Sequence, residues 1–251
     1  MALVKAVAST RVPRHWGIVG FPDAGKSTFL AAMSDSILLV DADQRGQELF
    51  GSVANLFFLS EDRSDHRDPL RISEKIRDEA RSIRESGIKL ISVDSMTAII
   101  EPLTIQAVEG NLRGLNKNKA AAYINKANAV KLVQDAVTSM GTDAAFIWHL
   151  QKGGDANGQK VVKQSLPDTE RARLMRSLNA TIELRKEQGK RVAKVVWSRT
   201  GGVTVRGTEI VDEEGYWRGV PEKLDALFSG KPQQPPHASL ETHQRAEGLR
   251  A

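Results

Sequence analysis

The sequence predicts an α/β fold in which helices flank a mostly parallel β-sheet that ends in an antiparallel hairpin. Short apolar runs typical of buried strands alternate with longer segments of helical periodicity, an order that favours a parallel sheet. A loop that contains two glycines joins the first apolar run to the first helical segment. Near the C-terminus, two alternating segments flank the sequence Glu-Gln-Gly-Lys-Arg, a pattern typical of a hairpin.

In the first part of the sequence, up to residue 100, the patterns predict four strands and two helices. Strands are predicted by short runs rich in Ile, Leu, Val or Phe, at 16–20, 37–43, 54–59 and 88–100. Helices are predicted by apolar residues at helical spacing, at 26–36 and 68–87. Gly87 gives the second helix a stop signal.

The second part of the sequence has the patterns of a helix, a strand, a glycine-rich loop and the hairpin, at 118–141, 143–151, 153–158 and 177–202. We therefore expect one domain over residues 16–228. A polar lead-in at 1–15 precedes this domain. A Pro-, Gln- and Ser-rich segment at 229–251 follows it, and this composition predicts a disordered tail.

The composition is that of an ordinary globular protein. Hydrophobic residues make up 40% and charged residues 27% of the 251 residues, and no apolar run approaches the length of a membrane span. We therefore expect no membrane association. The N-terminal segment lacks the pattern of a secretory signal, and the absence of cysteine excludes disulfides, thiolate metal sites and thiol nucleophiles. A cytoplasmic location is the expectation, and the net charge of +5 mildly favours a polyanionic partner.

A phosphate-binding loop follows the first predicted strand. The pattern of a glycine, four residues and Gly-Lys-Ser is complete in Gly20, Phe21, Pro22, Asp23, Ala24, Gly25, Lys26 and Ser27, and Thr28 follows. Glycines allow successive N–H groups to point inward at a helix N-terminus, where the helix dipole favours an anion. Lys26 would reach the β- and γ-phosphates, Ser27 would ligate Mg²⁺ and Thr28 would donate near the α-phosphate. ATP and Mg²⁺ are therefore the expected cofactors, and the loop does not distinguish ATP from GTP.

A second group for Mg²⁺ is expected on a neighbouring strand. Asp94 ends the apolar run in the sequence LISVDSM, and Ser95 lies beside it. A carboxylate at the end of a buried strand near a phosphate loop can hold Mg²⁺, through a water molecule. Lys26 and Asp94 together predict binding of a nucleoside triphosphate with Mg²⁺, and they leave the reaction open.

The order of these motifs resembles the RecA/RadA/DnaB/KaiC superfamily of P-loop ATPases. The sequences ILLVDAD, LISVDSMTAI and AAFIWHLQ follow the loop as the successive strands of that superfamily do, and the resemblance covers about residues 16–217. By size and lack of added domains the chain resembles the short phage-type RecA-like ATPases of single-strand annealing and recombination. The resemblance implies a RecA-like P-loop core, ATP hydrolysis, a ring or filament of identical subunits, and a recombination or replication protein as a partner.

Three further catalytic residues are implied by this resemblance. Asp43 would orient the attacking water, with Asp41 close by, although Glu is common at this place. His149 would sense the γ-phosphate, and Gln151 is the alternative. Arg199, in the sequence WSRTGG, would reach the ATP of the neighbouring subunit, although tryptophan replaces the lysine that is usual in this element. An arginine supplied in this way requires an oligomer.

Two cation-rich segments correspond to the loops that bind single-stranded DNA in this superfamily. The first, 111–131, contains no acid, and its candidate DNA contacts are Arg113, Lys117, Lys119, Tyr123 and Lys126. The second, 152–164, offers Lys152, Lys160 and Lys163. Cations of this kind, with few aromatic residues, suit phosphate contacts without base readout.

The patterns together predict a Mg²⁺-dependent RecA-like ATPase that oligomerises, binds single-stranded DNA and assists recombination or annealing. Two alternatives remain open. One is an ATP-switched assembly or loader protein with little hydrolysis, which the short carboxylate of Asp43 allows. The other is a P-loop kinase of a small molecule, which would need a pocket for the phosphate acceptor.

Overall fold

The computed structural model describes residues 12–116, 118, 120, 123–154, 159–199 and 205–229. Nine strands in this part of the chain form one sheet. Their bounds are His15–Gly20 (β1), Ser36–Asp41 (β2), Asn55–Phe58 (β3), Leu90–Asp94 (β4), Asp143–Gly154 (β5), Lys160–Gln164 (β6), Ala180–Glu187 (β7), Lys190–Ser198 (β8) and Glu209–Val211 (β9).

The sheet is parallel around β1 and antiparallel at one end. The order is β3-β2-β4-β5-β1-β7-β8-β9, and β6 pairs with the distal part of β5. Every pair from β3 to β7 along this order is parallel, whereas β7–β8, β8–β9 and β5–β6 are antiparallel. The predicted fold class is thereby confirmed as an α/β fold with a mostly parallel sheet, flanking helices and antiparallel strands near the C-terminus.

Helices cover both faces of the sheet. Their bounds are Lys26–Met33 (α1), Pro69–Asp78 (α2), Ala80–Glu85 (α3), Met96–Leu112 (α4), Ile124–Thr138 (α5), Asp168–Leu174 (α6) and Val220–Ser229 (α7). Short 3₁₀ helices occur at Gly46–Leu49 and Asp65–Arg67. Among the described helices, none combines the length and the apolar character that a membrane crossing requires.

Two hydrophobic clusters form the core because alternate strand residues point to opposite faces of the sheet. Val19 belongs to the cluster on the side of α2, α4 and α5, with Ile99 and Val130. Its neighbour Ile18 belongs to the cluster on the side of α1 and α7, with Phe29. Consecutive residues of β1 therefore pack against different helix layers, which holds β1 firmly in the middle of the molecule.

Local signals explain several element boundaries. Asp68 caps α2 by accepting from the backbone N of Leu70 at 2.9 Å, and a proline follows at the first helical position. The tight turn between β7 and β8 contains Gln188 and Gly189, with φ of 49° and 81°. Two left-handed residues are what a type I′ hairpin turn requires, so the predicted hairpin forms as expected.

Some predicted boundaries were wrong. The strand predicted at 88–100 stops at Asp94, and Ser95 caps α4 by accepting from the backbone N of Ala98 at 3.4 Å. The apolar residues Met96, Ile99, Ile100 and Ala107 have helical spacing and are buried on one face of α4. The helix predicted at 68–87 is divided into α2 and α3 at Glu79.

The sequence also missed four short elements, namely β6, α6, β9 and α7. The predicted lead-in is one residue too long, because His15 already belongs to β1, and Ser229 of the predicted tail closes α7. Residues 1–11 and 230–251, and 155–158 of the predicted glycine-rich loop, lie outside the described residues.

Candidate active site

The predicted phosphate loop connects the end of β1 to the start of α1. Its middle is a turn in which the N of Ala24 donates to the O of Phe21 at 3.2 Å. Pro22 and Asp23 occupy the central positions, and Asp23 is left-handed with φ of 70°. Proline followed by a left-handed residue is the pattern of a type II turn, and Asp tolerates that backbone better than most residues do. This turn accounts for the unusual Pro-Asp pair inside the motif.

The two glycines of the loop are required by its geometry. A Cβ on Gly20 would lie 2.6 Å from the backbone O of Leu184, and Gly25 has φ of 83°. Gly25 is the N-cap of α1, so the first N–H groups of this helix lack intrahelical acceptors. Such a helix N-terminus next to a curled loop can bind an anion.

The ammonium of Lys26 lies over this loop. Its Nζ donates to the O of Gly20 at 3.1 Å and to the O of Phe21 at 2.8 Å, and the residue is buried. Burial lowers the pKa of Lys26, while the carboxylates of Asp94 and Asp43 act in the opposite direction. A buried cation that keeps only neutral carbonyl partners is well suited to receive an anion.

Asp43, Asp94 and His149 meet at the same edge of the sheet. His149 lies opposite Gly20 in the pairing of β5 with β1, and its Nε2 is 2.8 Å from Oδ2 of Asp43. Because a carboxylate only accepts, Nε2 carries the proton of this bond. The Oγ of Ser95 donates to Oδ1 of Asp43 at 3.0 Å, and the N of Asp43 donates to the O of Asp94 at 2.9 Å.

The two carboxyl groups titrate in different ranges. Burial, followed by the charge of Asp43, raises the pKa of Asp94 to about 7. Burial also acts to raise the pKa of Asp43, but the hydrogen bonds from His149 and Ser95 and the charge of Lys26 bring it below its ordinary value. Asp43 is therefore the ionised partner near neutral pH, and Asp94 becomes ionised when a nearby cation compensates for its burial.

The geometry separates the candidates that the sequence left side by side. Asp41 accepts from the backbone N of Arg45 at 2.8 Å and of Gly46 at 2.9 Å, so its carboxylate holds the following turn. Asp43, in contrast, faces His149. Gln151 is exposed and lies in the part of β5 that pairs with β6, beyond the sheet edge.

Arg199 does not join this group of residues. It follows β8, where Ser198 pairs with Ala180, and Ala180 pairs with Trp16 at the start of β1. The guanidinium donates to the O of Arg176. Arg199 therefore lies at the edge of the sheet opposite to the phosphate loop of the same chain. If Arg199 contacts a triphosphate, that triphosphate must be bound to another subunit.

The predicted DNA-binding residues fall into two structural groups. Lys152, Lys160 and Lys163 lie on the antiparallel pair β5–β6, which extends past the edge that carries the phosphate loop. The Nζ of Lys163 donates to the O of Gly154 at 2.6 Å. Lys152 has its Nζ 6.0 Å from the centre of the Phe21 ring, so this surface adjoins the loop.

The second group, around α5, is less accessible than expected. Lys126 is buried, with its Nζ 3.4 Å from Oε2 of Glu170 and 5.0 Å from the centre of the half-exposed Tyr123 ring. Its charge is directed into the protein. Arg113 is exposed, and its guanidinium lies 3.8 Å from Glu109. Lys117 and Lys119 lie outside the described residues.

Two residues near the loop were missed by the sequence reasoning. Trp217 donates from its indole Nε1 to the O of Gly25 at 3.0 Å. Arg191 lies at the start of β8, and its Nε is close to Gly25, since a Cβ added to Gly25 would be 3.5 Å from it. Neither residue belongs to a recognisable motif. The one feature of the sequence that could have drawn attention to this place is a tryptophan in an otherwise polar segment.

Two cavities adjoin the site. One, of about 770 Å³, extends from Asp43 and His149 along α4. The other, of about 340 Å³, lies beside α1 and is lined by Thr28, Ala31, Ala32, Gly51, Ser52, Tyr216 and Arg218. The Tyr216 side chain is 66% exposed, so its ring is available for stacking.

Comparison of the chain with models of protein families gave no match, and comparison with curated proteins gave none either. Neither comparison assigns a family to the chain.

Proposed function

We propose that the protein is a Mg²⁺-dependent ATPase of the RecA-like class. The observation that carries this proposal is the convergence of the phosphate loop, Lys26, Asp94 and the Asp43–His149 pair at one edge of the sheet. The strands that carry them, β1, β5 and β4, are neighbours in the sheet. Ligands of open α/β sheets bind at the carboxyl ends of the strands, which is where these side chains lie.

The residues at this edge fit a nucleoside triphosphate with Mg²⁺. The loop amides and Lys26 would bind the phosphate oxygens, and Ser27 and Asp94 would hold Mg²⁺ with water molecules and phosphates as its other ligands. When bound, Mg²⁺ supplies positive charge that stabilises the developing charge on the phosphates. Asp43 would orient the attacking water, while His149 and Ser95 fix the position of its carboxylate.

The cavity beside α1 suits the nucleobase. Thr28 lies on the first turn of α1, where the phosphate chain would end, and Tyr216 offers an aromatic face nearby. Arg218, with its guanidinium 5.9 Å from the centre of the Tyr216 ring, would hold that ring in place. We infer adenine as the base, following the motif resemblance, and comparing ATP with GTP in binding assays tests this choice.

The function is tested by measuring phosphate release from ATP with and without Mg²⁺ and single-stranded DNA. We expect Mg²⁺-dependent release that DNA stimulates. Release without stimulation would reject the DNA-dependent part. ATP binding with assembly but without release would favour the assembly or loader protein, and light scattering with a non-hydrolysable analogue measures that assembly.

One observation favours a second candidate, a small-molecule kinase. The cavity of about 770 Å³ opens directly at Asp43 and His149, where an acceptor hydroxyl could replace water. Its lining combines the carboxylates of Asp43, Glu101 and Glu109 with the guanidinium of Arg67, so this cavity favours a neutral or cationic acceptor. Transfer of the γ-phosphate to an added alcohol or amine, without free phosphate, would establish this function in place of hydrolysis.

We propose that single-stranded DNA binds along the β5–β6 extension. Lys152 and Lys160 are exposed on it, and Val162 is 60% exposed. The surface is therefore basic, and no aromatic residue belongs to the described part of the extension, 150–154 and 160–164. Contacts of this kind are made to phosphates and weaken with salt. The proximity of Lys152 to Phe21 would link this surface to the phosphate loop.

Replacing Lys152, Lys160 and Lys163 with Gln is expected to weaken DNA binding and its salt dependence. For every lysine–phosphate contact that is lost, the negative slope of log affinity against log salt should become shallower by about 0.7. Fluorescence anisotropy with a labelled oligonucleotide measures both quantities. The matched control is the triple change of Lys89, Lys186 and Lys223 to Gln, which removes equal charge elsewhere. An equal loss of affinity in the control would contradict a specific DNA surface.

Arg199 is proposed to complete the site of a neighbouring subunit. Mixing the inactive variants Lys26→Ala and Arg199→Ala should restore hydrolysis, because some interfaces then combine an intact loop with an intact arginine. For random assembly at equal concentrations, about a quarter of the interfaces would be complete. Phosphate release by each variant alone is the control. Persistent inactivity of the mixture, with assembly retained, would show that Arg199 does not act between subunits.

A further inference from the structure

We propose that Trp217 is a positioning residue of the phosphate loop, an inference that rests on the proposed nucleotide site. Trp217 is fully buried, and its indole Nε1 donates to the carbonyl oxygen of Gly25 at 3.0 Å. Gly25 is the residue at which the loop becomes α1. This bond joins the loop to a segment that is remote in sequence, 212–217, which we call the brace segment.

The bond acts on the peptide unit that faces the phosphates. The Gly25 carbonyl and the Lys26 N–H belong to one planar trans peptide, so they point in opposite directions. The Gly25 oxygen also accepts from the N of Phe29 at 2.9 Å, the first hydrogen bond of α1. The Lys26 N–H is a helix-start donor without an intrahelical acceptor. Two donors on the oxygen therefore fix the direction in which this N–H meets an anion.

Trp217 is itself held in an unusual conformation. Its backbone N donates to Oδ2 of Asp212 at 3.1 Å, and its ring packs edge-on against Phe29 with centroids 5.5 Å apart. Tyr216 and Trp217 have φ of 57° and 63°, a backbone that aromatic residues rarely adopt. Such a conformation persists only where the surrounding contacts determine it, which favours a specific role for the segment.

The brace segment packs closely against Gly25. A Cβ on Gly25 would lie 2.9 Å from Nε1 of Trp217. Asp212 is buried with Oδ1 unpartnered among the described residues, and Nη1 of Arg191 lies 4.0 Å from its Oδ2. Because the phosphate loop and the brace segment are in direct contact, binding of an anion to the loop should stabilise the segment. By linkage, an ordered segment should strengthen anion binding by the same free energy.

The test compares Trp217→Phe with Trp16→Phe. Trp16 is also buried, and its ring centroid lies 6.4 Å from that of Phe29, but the bond to Gly25 belongs to Trp217. Hydrogen exchange of loop residues 20–28 is measured first, without nucleotide. We expect faster exchange in Trp217→Phe and unchanged exchange in Trp16→Phe, with thermal unfolding showing a similar loss of stability in both.

The dissociation constant of Mg·ATP is then measured for both variants. Removal of one hydrogen bond to the loop should raise it about fivefold in Trp217→Phe and leave it unchanged in Trp16→Phe. Unchanged loop exchange, or faster exchange with unchanged ATP affinity, would overturn the positioning role. If the wild-type protein binds no ATP, the proposed function fails, and the exchange comparison still decides whether Trp217 orders the loop.

Discussion

Replacing Lys26 with Met is expected to weaken ATP binding by roughly 10–100-fold and to slow hydrolysis strongly, while leaving the nucleotide-free fold intact. Lys26 supplies the charge nearest to the β- and γ-phosphates, and a charge-assisted bond of this kind is worth roughly 1.5–3 kcal/mol in binding. Its loss in the transition state should lower kcat by roughly 10²–10³-fold. Calorimetric titration with Mg·ATP and a phosphate-release assay measure the two effects.

The stability of the same variant provides its control. Burial lowers the pKa of Lys26, which means that the folded protein holds this charge at a cost. Met has similar length without the charge, so the melting temperature without nucleotide should be unchanged or higher. At an ATP concentration a few times the wild-type dissociation constant, ATP should raise the melting temperature of the wild-type protein much more than that of Lys26→Met. A full ATP-induced shift in the variant would place the triphosphate elsewhere.

The sequence predicts the parts of the site that depend on local order. The phosphate loop is a continuous motif, and Asp43, Asp94 and His149 each end a recognisable apolar run. In a parallel sheet the carboxyl ends of all strands meet at one edge, so these residues could be expected together before their distances were known. Their pairing, with His149 bound to Asp43 rather than to Asp94, depends on side-chain geometry that no spacing rule contains.

Other features depend on contacts between distant segments. Lys126 belongs to a basic segment by sequence, but the contact between α5 and α6 buries it against Glu170. Trp217 reaches Gly25 across 192 positions of the chain. The short elements β6, β9 and α6 were missed because each has seven residues or fewer, and at that length pairing with neighbours outweighs local propensity.

The direction of β8 determines which nucleotide site Arg199 can reach. Arg199 follows the last strand of the predicted hairpin, close in sequence to the end of the domain. Because β8 runs antiparallel to β7, its end lies beside the start of β1 rather than beside the phosphate loop. This placement makes a role of Arg199 in its own subunit's site geometrically impossible without rearrangement, and the mixing experiment addresses the remaining role.

Replacing Asp43 with Asn is expected to lower hydrolysis by roughly 10²–10⁴-fold with little change in ATP affinity. Asn keeps the size of the side chain, and its Oδ1 can still accept from Ser95. Its Nδ2 can bond to His149 only if the imidazole proton moves from Nε2 to Nδ1, and the amide cannot attract a proton from water. The hydrogen bonds from His149 and Ser95 and the charge of Lys26 hold the pKa of Asp43 below its ordinary value despite burial, so the wild-type group stays ionised as pH falls through the neutral range. The deficit of the variant should therefore be similar from about pH 6 to about pH 8.

Asp41→Asn is the matched control for this change. Asp41 lies at the end of β2, and its carboxylate holds the N–H groups of Arg45 and Gly46. An Asn oxygen can replace only part of that arrangement, so this variant should lose about 1 kcal/mol of stability and keep its hydrolysis rate. Single-turnover phosphate release at saturating ATP, with chemical denaturation in parallel, separates the two variants. A rate loss in Asp41→Asn with normal hydrolysis in Asp43→Asn would reverse the assignment, since it would mean that the carboxylate facing His149 does not act on water.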